Sequence, residues 1–451
     1  MNQFNHEQGP NALGGNGRMS TDAVKASVHR KMIGNMDLNE ARKLPVETLV
    51  KECTRRIDDL LNQERCPLSA PEKAQLLREV MDEIFGLGPI EEFLRDNNIS
   101  DILVNGAKRL YIERYGVLEE TEVTFRDDEQ LLQVIQRIAS RVGRRIDESS
   151  PMLDARLQDG SRVNAIISPL SLDGPSLSIR RFGADPITSD KLIELGAYTP
   201  EMAEFVQFCV RCKMNILLSG GTGTGKTTML NVLSRWIPEG DRVVTIEDAA
   251  ELQLQRRHVV RLETKPANVE GKGEFTQRDL LKNSLRMRPD RIIIGEVRGA
   301  EALDMLQAMN TGHEGSMTTV HANTPRDALA RIENMVSMAG LNFPVHAIRQ
   351  QTSSALNILI QLGRLTGGRR KIVTIAEITS MEGEMILLQD LFRFNQSGID
   401  EDGHATGRFE CCGVRPKMIE RLASEGISLP ENFFQRRVLS SNTPTLAESS
   451  R

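Results

Sequence analysis

The stretch "GGTGTGKTT" at residues 220–228 combines glycines, hydroxyl side chains and one lysine. It matches the pattern G-x-x-x-x-G-K-[ST], in which glycines let backbone N–H groups converge on phosphate oxygens. The apolar run "NILLS" precedes it, and "TMLNVLSRW" follows with helical spacing, so a helix would direct its positive end at the phosphates. We therefore predict that ATP binds here, with Lys226 between its β and γ phosphates and the Thr227 hydroxyl on Mg²⁺. The predicted nucleotide-binding residues are Gly220, Gly221, Thr222, Gly223, Thr224, Gly225, Lys226, Thr227 and Thr228.

Hydrolysis also requires carboxylates, one to hold the metal and another to orient water. The apolar runs "VVTIEDAAEL" and "RIIIGEVRG" both end in acids, the first in Glu247 and Asp248 and the second in Glu296. The second run departs from the general P-loop pattern, because Gly295 and Glu296 stand where an Asp usually follows the apolar residues. One strand ending in a solvated carboxylate is common, but two such strands after a phosphate cradle favour a catalytic role.

A third stretch, "NTGHEGSMTTVHANT", places His313 and His321 on either side of a predicted strand. A single histidine is more often a hydrogen-bonded structural residue than a functional one. Here "GHEGS" opens the strand and "HANT" closes it at the edge of the predicted sheet, which favours a role in sensing the γ-phosphate.

Composition limits the classes of function. A chain of 451 residues is expected to form two or three domains, and 39% hydrophobic with 26% charged residues is typical of a globular protein. The net charge of −5 and the aromatic content of 4% do not favour a nucleic-acid binder. The absence of a long apolar run and of a secretory start in "MNQFNHEQGP" predicts a cytoplasmic protein.

Cysteine usage indicates neither a disulfide framework nor a zinc site. The chain has six cysteines, and the C-x-x-C formed by Cys209 and Cys212 lacks a matching second pair. We expect these two side chains to pack as small hydrophobes on one face of a helix.

The order of patterns along the chain predicts six segments. Residues 1–20 are polar and rich in glycine and asparagine, which predicts a disordered tail, and residues 21–90 show helical periodicity. Residues 91–183 mix short strands, an amphipathic helix and a hairpin at Asp159-Gly160, which is typical of a small α+β domain. Residues 184–198 contain turn formers and are predicted to be a linker. Residues 199–436 alternate strands and helices, which predicts an α/β domain with helices on both faces of a sheet, and residues 437–451 are predicted to be a second disordered tail.

Together, these motifs resemble the ATPases of type II and type IV secretion systems, and within them the CpaF-like branch that drives Tad/Flp pilus assembly. The resemblance spans about residues 70–425 and rests on "EIFGLGPIEEFLRDNNISDILVNG", "DGSRVNAI", "GGTGTGKTT", "VTIEDAAELQL", "LRMRPDRIIIGEVRG" and "GHEGSMTTVHANT" in that order. It implies a smaller N-terminal α+β domain with a helical extension, followed in sequence by a RecA-like P-loop ATPase domain. The unusual Gly295-Glu296 pair is normal within this family.

The resemblance also implies residue roles. Glu247 would activate the attacking water, Glu296 would hold Mg²⁺, and His321 and more weakly His313 would belong to the family's His box. Arginines of the N-terminal domain would contact the nucleotide, and Arg162 matches best. Weaker matches are Arg156 and either Arg180 or Arg181, while Arg286 and Arg298 flank the Glu296 strand.

As partners, the resemblance implies a homo-oligomer, expected to be a hexamer, and inner-membrane platform proteins that hold the ATPase at the cytoplasmic face of that membrane. We expect no direct nucleic-acid contact. The chief alternative is a type II or type IV secretion ATPase that moves protein or DNA, and a nucleic-acid translocase or a non-catalytic scaffold remain open. The basic stretch "RLTGGRRK" at 364–371 is interpreted as a solvated hairpin tip.

Overall fold

The structure is a computed structural model that describes residues 27–28, 31–32, 45–63, 68–114, 117–157, 159–181, 187–265, 267, 272–340 and 343–440. The chain divides into two compact units, residues 1–181 and 182–451. The predicted tail at 1–20 and the start of the predicted linker at 184–186 lie outside the described residues. Within the part of the chain described, no helix has the length and apolar character needed to cross a bilayer.

The first unit opens with two helices, α1 (Val46–Gln63) and α2 (Ala70–Phe85). Ser69 and Glu72 form a capping box that fixes the start of α2, with the Ser69 N–H donating to the Glu72 carboxylate at 2.9 Å. The apolar stripe of each helix is buried in one shared cluster, as the helical periodicity predicts. A single 3₁₀ turn (Gly88–Ile90) and the short helix α3 (Glu91–Arg95) lead from α2 into a sheet.

A six-stranded antiparallel sheet forms the rest of the first unit, in the order β3-β2-β1-β6-β5-β4. Its strands are β1 (Ile99–Asn105), β2 (Leu110–Arg114), β3 (Val117–Glu120), β4 (Met152–Arg156), β5 (Arg162–Ile166) and β6 (Ser176–Arg180). The hairpin predicted at Asp159-Gly160 joins β4 and β5, and Gly160 has the positive φ of 93° that the turn requires. The amphipathic helix α4 (Asp128–Arg141) covers the sheet with the apolar stripe read from its sequence.

The second unit alternates helices and strands as predicted. Its helices are α5 (Ser189–Glu194), α6 (Pro200–Arg211), α7 (Lys226–Arg235), α8 (Gln277–Ser284), α9 (Glu301–Asn310), α10 (Pro325–Ser337), α11 (Val345–Ala355) and α12 (Ile419–Ser424). Its strands are β7 (Ile216–Ser219), β8 (Val243–Glu247), β9 (Val259–Glu263), β10 (Arg291–Ile294), β11 (Met317–Val320), β12 (Ile358–Arg364), β13 (Arg370–Glu382), β14 (Met385–Ile399), β15 (Ala405–Cys411) and β16 (Arg437–Leu439). A 3₁₀ turn (Leu285–Met287) directly follows α8.

These strands form one ten-stranded sheet in the order β16-β15-β14-β13-β12-β7-β11-β10-β8-β9. The six strands from β12 to β9 are parallel, and β13 to β16 extend the sheet as antiparallel hairpins. The P-loop strand β7 is separated from β10 by β11, which is consistent with the RecA-like fold that the resemblance implies. Alternate residues of β7 enter two different apolar clusters, Ile216 and Leu218 on one face and Leu217 on the other, so helices cover both faces.

Two predicted segments contain more regular structure than the sequence suggested. Residues 189–194 of the predicted linker form α5, which Thr188 caps by accepting from the Lys191 N–H. Arg437–Leu439, assigned from sequence to the terminal tail, form β16 and pair with β15, because Leu439 is buried in the core cluster of the sheet. Cys209 and Cys212 are free thiols buried in that same cluster, which confirms the packing role expected for them.

Candidate functional site

The site lies where the parallel strands of the second unit reach their carboxyl ends. β7 ends at Ser219 immediately before the P-loop, β8 ends in Glu247, and β11 ends one residue before His321. β10 ends two residues before Glu296. Because parallel strands end at one edge of a sheet, four segments that are distant in sequence meet there, which is where ligands bind in open α/β sheets.

The P-loop has the backbone that a phosphate cradle needs. Gly223 and Gly225 have φ values of 71° and 95°, which side chains with a Cβ rarely adopt, and α7 begins at Lys226. A Cβ on Gly220 would lie 2.5 Å from Thr224 Oγ1 and 2.8 Å from the Leu362 carbonyl oxygen, so only glycine fits. Lys226 is buried, and its Nζ donates to the carbonyls of Gly220 and Gly221 at 3.0 and 2.9 Å.

His321 connects the lysine of the P-loop with Glu296. Its Nε2 is 3.1 Å from Glu296 Oε1 and its Nδ1 is 3.5 Å from Lys226 Nζ. Burial, followed by the positive charge of Lys226, lowers the pKa of His321, so the ring is neutral at neutral pH. These contacts assign the tautomer that carries the proton on Nε2, which donates to Glu296, while Nδ1 accepts from Lys226.

Glu296 is held ionised by the cations around it. Arg298 Nη2 lies 2.8 Å from Glu296 Oε2, and a second nitrogen of Arg298 lies 3.6 Å from Asp248. Burial would raise the pKa of Glu296, but the hydrogen bond and positive charge of Arg298, with smaller contributions from the neighbouring His321 and from Lys226, outweigh it, and the pKa lies below its usual value. Burial raises the pKa of Asp248 on the neighbouring strand end.

Glu247 lies in the opposite electrostatic environment. Only 3% of the residue is exposed, and Oε1 accepts from the backbone N–H groups of Glu251 and Leu252 at 2.8 and 2.9 Å. Burial raises its pKa to about 7 despite those two hydrogen bonds. Its other oxygen, Oε2, is buried with no hydrogen-bond partner within the described ranges. A carboxylate with an unpartnered oxygen and a pKa near neutrality suits a general base.

Gly295, which departs from the general P-loop pattern, makes room for Glu247. β8 and β10 are neighbours, and a Cβ on Gly295 would lie 2.9 Å from Glu247 Cγ. The Thr319 hydroxyl donates to the Gly295 carbonyl at 2.7 Å and fixes the same peptide. A glycine before Glu296 is thus a steric consequence of the Glu247 side chain at the end of the adjacent strand.

The structure does not bring His313 or Arg286 to this site. His313 precedes β11 and Arg286 precedes β10, so both lie at the amino edge of the sheet. At about 3.3 Å per residue, a four-residue strand separates the two edges by more than 10 Å. Of the two arginines that flank β10 in sequence, only Arg298 belongs to the site.

In the first unit, three of the candidate arginines lie in one row. Arg162 on β5 is directly opposite Arg156 on β4 and Arg180 on β6, and residues opposite each other in antiparallel strands share a face. Arg180 Nε donates to Asp101 at 3.0 Å, at the end of this row. Arg181 instead donates to the backbone carbonyls of Asp96 and Ile99 within its own unit. The row therefore favours Arg180 over Arg181 as the companion of Arg162.

One contact at the site was missed from the sequence. The tip of the β12–β13 hairpin, interpreted as a solvated loop, is exposed but also contacts the P-loop, because Arg370 Nε donates to the Gly223 carbonyl at 2.8 Å. β12 is parallel to β7 and adjacent to it, so its carboxyl end must reach the same edge of the sheet. The apolar run "ILIQL" immediately before a basic tip was the available signal.

The donor set fits Mg²⁺. Thr227 supplies a hydroxyl and Glu296 an ionised carboxylate, and hard oxygen donors of this kind, together with substrate phosphates, are what Mg²⁺ prefers.

Comparison with known proteins places the chain in a family. The model of the family "Type II/IV secretion system protein" matches residues 83–408. The chain therefore belongs to the type II/IV secretion system ATPases and is an ATP hydrolase of that family.

The chain is also similar to individual proteins. A Mycobacterium tuberculosis protein, provisionally named a conjugal transfer protein, is 37% identical over 317 residues, which cover 68% of this chain and 89% of the relative. The conjugal transfer protein TrbB of Rhizobium radiobacter is 32% identical, over 69% of this chain and 92% of its own. Among solved structures, the VirB11 ATPase of the Brucella suis type IV secretion system is 27% identical over 65% of this chain and 97% of its own, with a TM-score of 0.35.

Proposed function

We propose that this chain is the ATPase motor of a Tad/Flp-type pilus, a hexamer that hydrolyses Mg·ATP at residues 220–228 and drives pilus assembly, or also retraction. It would work at the cytoplasmic face of the inner membrane through platform proteins. The observation that carries the catalytic part is the continuous path Lys226–His321–Glu296, with Glu247 on the adjacent strand. The pilus assignment rests on the ordered motifs that resemble the CpaF-like branch.

Each residue of the site has a proposed task in hydrolysis. The backbone of residues 220–225 and Lys226 bind and orient the triphosphate, and Thr227 and Glu296 would hold Mg²⁺, which would supply charge neutralisation. Glu247 Oε2 accepts a proton from the attacking water, since that oxygen is unpartnered within the described ranges. His321 donates to Glu296 and thereby fixes the position of the metal-binding carboxylate relative to the P-loop lysine.

A phosphate-release assay on the purified full-length chain tests the catalytic proposal. Lys226→Ala should remove detectable ATPase activity, and Glu296→Gln should lower kcat by about two to three orders of magnitude, because both act on transition-state charge. If Glu296→Gln hydrolysed ATP with the kcat of the wild-type chain, Glu296 would have no role in the mechanism.

Arg162 is proposed to compensate the charge that develops on the transferring phosphoryl group. Arginines in this role are worth about 10³–10⁵ in kcat in related phosphoryl-transfer enzymes. We expect Arg162→Met to lower kcat by about 10³ while Arg109→Met, a change to an exposed arginine of the same unit, leaves it unaltered. Equal rates for the two variants would dismiss the role of Arg162.

Assembly is tested by concentration dependence. If the active form is a ring, the specific ATPase activity rises with protein concentration, and electron micrographs of the same sample count the subunits. A specific activity that is constant over a hundredfold range of concentration, in a sample that stays monomeric, would contradict the hexamer.

The second candidate function is conjugal transfer, and it is favoured by the names of the two relatives described above. Deleting the gene from its host distinguishes the two. Loss of surface pili with unchanged plasmid transfer supports the pilus motor, and the reverse result supports conjugation. An ATPase rate that responds to added DNA would instead favour a nucleic-acid translocase.

A further inference from the structure

The hairpin tip at residues 364–370 contacts the outer side of the P-loop. Arg370 Nε donates to the Gly223 carbonyl at 2.8 Å, and a Cβ on Gly225 would lie 3.7 Å from Arg370 Cδ. Arg364 is paired with Arg370 across the hairpin, and its Nη1 would lie 3.7 Å from a Cβ on Gly223. Two arginines of one hairpin thus converge on the turn of the loop that has positive φ.

The contact fixes the orientation of one peptide plane. In a trans peptide the C=O and the following N–H point in opposite directions. Holding the Gly223 carbonyl on Arg370 therefore turns the Thr224 N–H to the other side of the loop. A phosphate cradle works only when such N–H groups point inward, and at a glycine the backbone has several other orientations of similar energy.

The tip that carries Arg370 is itself braced. Asp400 lies 3.7 Å from Arg369 and accepts from the His404 N–H at 2.7 Å. Gly367 packs on the same segment, since a Cβ there would lie 2.6 Å from His404 Cδ2. The Leu365 N–H donates to the Arg369 carbonyl at 2.8 Å and closes the tip. A braced tip keeps the guanidinium in place before nucleotide binds, which is the condition for preorganisation.

We propose that Arg370 is a positioning residue that orients the Gly223–Thr224 peptide for phosphate binding. This inference rests on the proposed binding of Mg·ATP by residues 220–228. Because the oriented N–H is present before and throughout the reaction, Arg370 strengthens binding of substrate, product and transition state alike. Its loss therefore changes KM and the Kd of the product, and leaves kcat almost unchanged.

The experiment compares three variants of the full-length chain. Arg370→Met removes the donor and keeps the bulk of the side chain, whereas Arg370→Gln keeps an N–H donor without the charge. Arg408→Met is the matched control, since Arg408 is an exposed arginine on β15 that lies 3.6 Å from Glu410. The measurements are Kd for Mg·ADP by calorimetry, KM and kcat for ATP, and thermal unfolding without nucleotide.

We expect Arg370→Met to raise Kd and KM by about tenfold, the size of one charge-assisted hydrogen bond, with kcat within about twofold of wild type. Arg370→Gln should recover binding to within about threefold of wild type, and Arg408→Met should match wild type.

Three results overturn the assignment. The first is that Arg370→Met binds Mg·ADP as tightly as Arg408→Met, the second is that Arg370→Gln binds as weakly as Arg370→Met, and the third is that the loss falls in kcat alone. Any of these outcomes would show that the hydrogen bond does not orient the loop. If Arg370→Met does not fold, the Arg370→Gln value decides, since equality of Kd with wild type supports the proposal and a tenfold rise opposes it. A wild-type chain that fails to bind Mg·ADP refutes the proposed function instead.

Discussion

The two ends of β10 carry charged residues in contrasting surroundings. At the amino end, Arg291 is fully buried, with Nε donating to Asp241 at 2.7 Å and Nη1 donating to the Val210 carbonyl at 2.6 Å. Beyond the carboxyl end, Glu296 is partly exposed and contacts Arg298 and His321. A buried charge that pairs with one partner has a structural role. A charge in a partly exposed network at the edge of a sheet is available to a ligand.

Glu247, on the neighbouring strand, combines the burial of Arg291 with the position of Glu296 at the carboxyl edge of the sheet. It is as buried as a structural residue, yet one of its oxygens has no hydrogen-bond partner within the described ranges. A buried and incompletely satisfied carboxylate costs stability, and such a cost is expected where function requires it. The comparison therefore predicts that substitutions at the two edges of the sheet separate activity from stability.

The largest effect is expected for Glu247→Gln. Loss of the base should lower kcat by about 10³. At the same time the variant should be more stable than wild type at pH 8, by up to about 3 kcal/mol, because ionising a carboxyl whose pKa is raised from 4.5 to about 7 costs the folded state. This gain in stability is absent below about pH 4.5 and grows as the pH rises from 4.5 to about 7. Denaturant unfolding at pH 5 and pH 8, beside the ATPase rate, measures both changes.

Arg291→Met should show the reverse pattern. Removing one partner of a buried ion pair leaves Asp241 uncompensated, which costs about 3 kcal/mol or more of folding free energy. The ATPase rate of the folded fraction should be unchanged, because the amino edge takes no part in the chemistry. The double variant Arg291→Met with Asp241→Asn should regain part of the lost stability. An unchanged unfolding midpoint for Arg291→Met would show that the buried Arg291 does not stabilise the fold.

Gly295→Ala should act through Glu247. The new Cβ would lie 2.9 Å from Glu247 Cγ and displace the base, and a small misplacement of a catalytic group is expected to lower kcat by about 30-fold. Gly240→Ala is the control, because no atom lies within 4 Å of its added Cβ. Similar kcat values for these two alanine variants would mean that Gly295 is not needed for the position of Glu247.

The pH profile gives the smallest effect. With Glu247 as the base, kcat should fall about tenfold per pH unit below about pH 7 and be constant above it. Glu296 should not contribute in that window, since its pKa lies below its usual value and it stays ionised. Measuring kcat at saturating ATP from pH 5.5 to 9 tests this, and a flat profile across pH 6–8 would show that Glu247 does not act as the base.

By itself, the sequence determined the parts of the site that depend on local chain properties. Glycine spacing and the flanking strand and helix patterns predicted the P-loop, and apolar runs ending in acids predicted the strand ends that carry Glu247 and Glu296. The hairpin turn at Gly160 was predictable for the same reason. Each of these features is fixed by a few consecutive residues, whose backbone preferences and hydrogen bonds do not depend on the rest of the fold.

Only the tertiary structure decided which of these residues meet. The order of strands brought His321 between Lys226 and Glu296, left His313 at the far edge, and carried Arg370 to the P-loop from 147 positions away. It also explained Gly295 by the side chain on the next strand, and turned part of the predicted tail into β16. Contacts between distant segments depend on how strands are ordered and paired, and that order comes from burial of the whole sheet, not from the pattern of any one stretch.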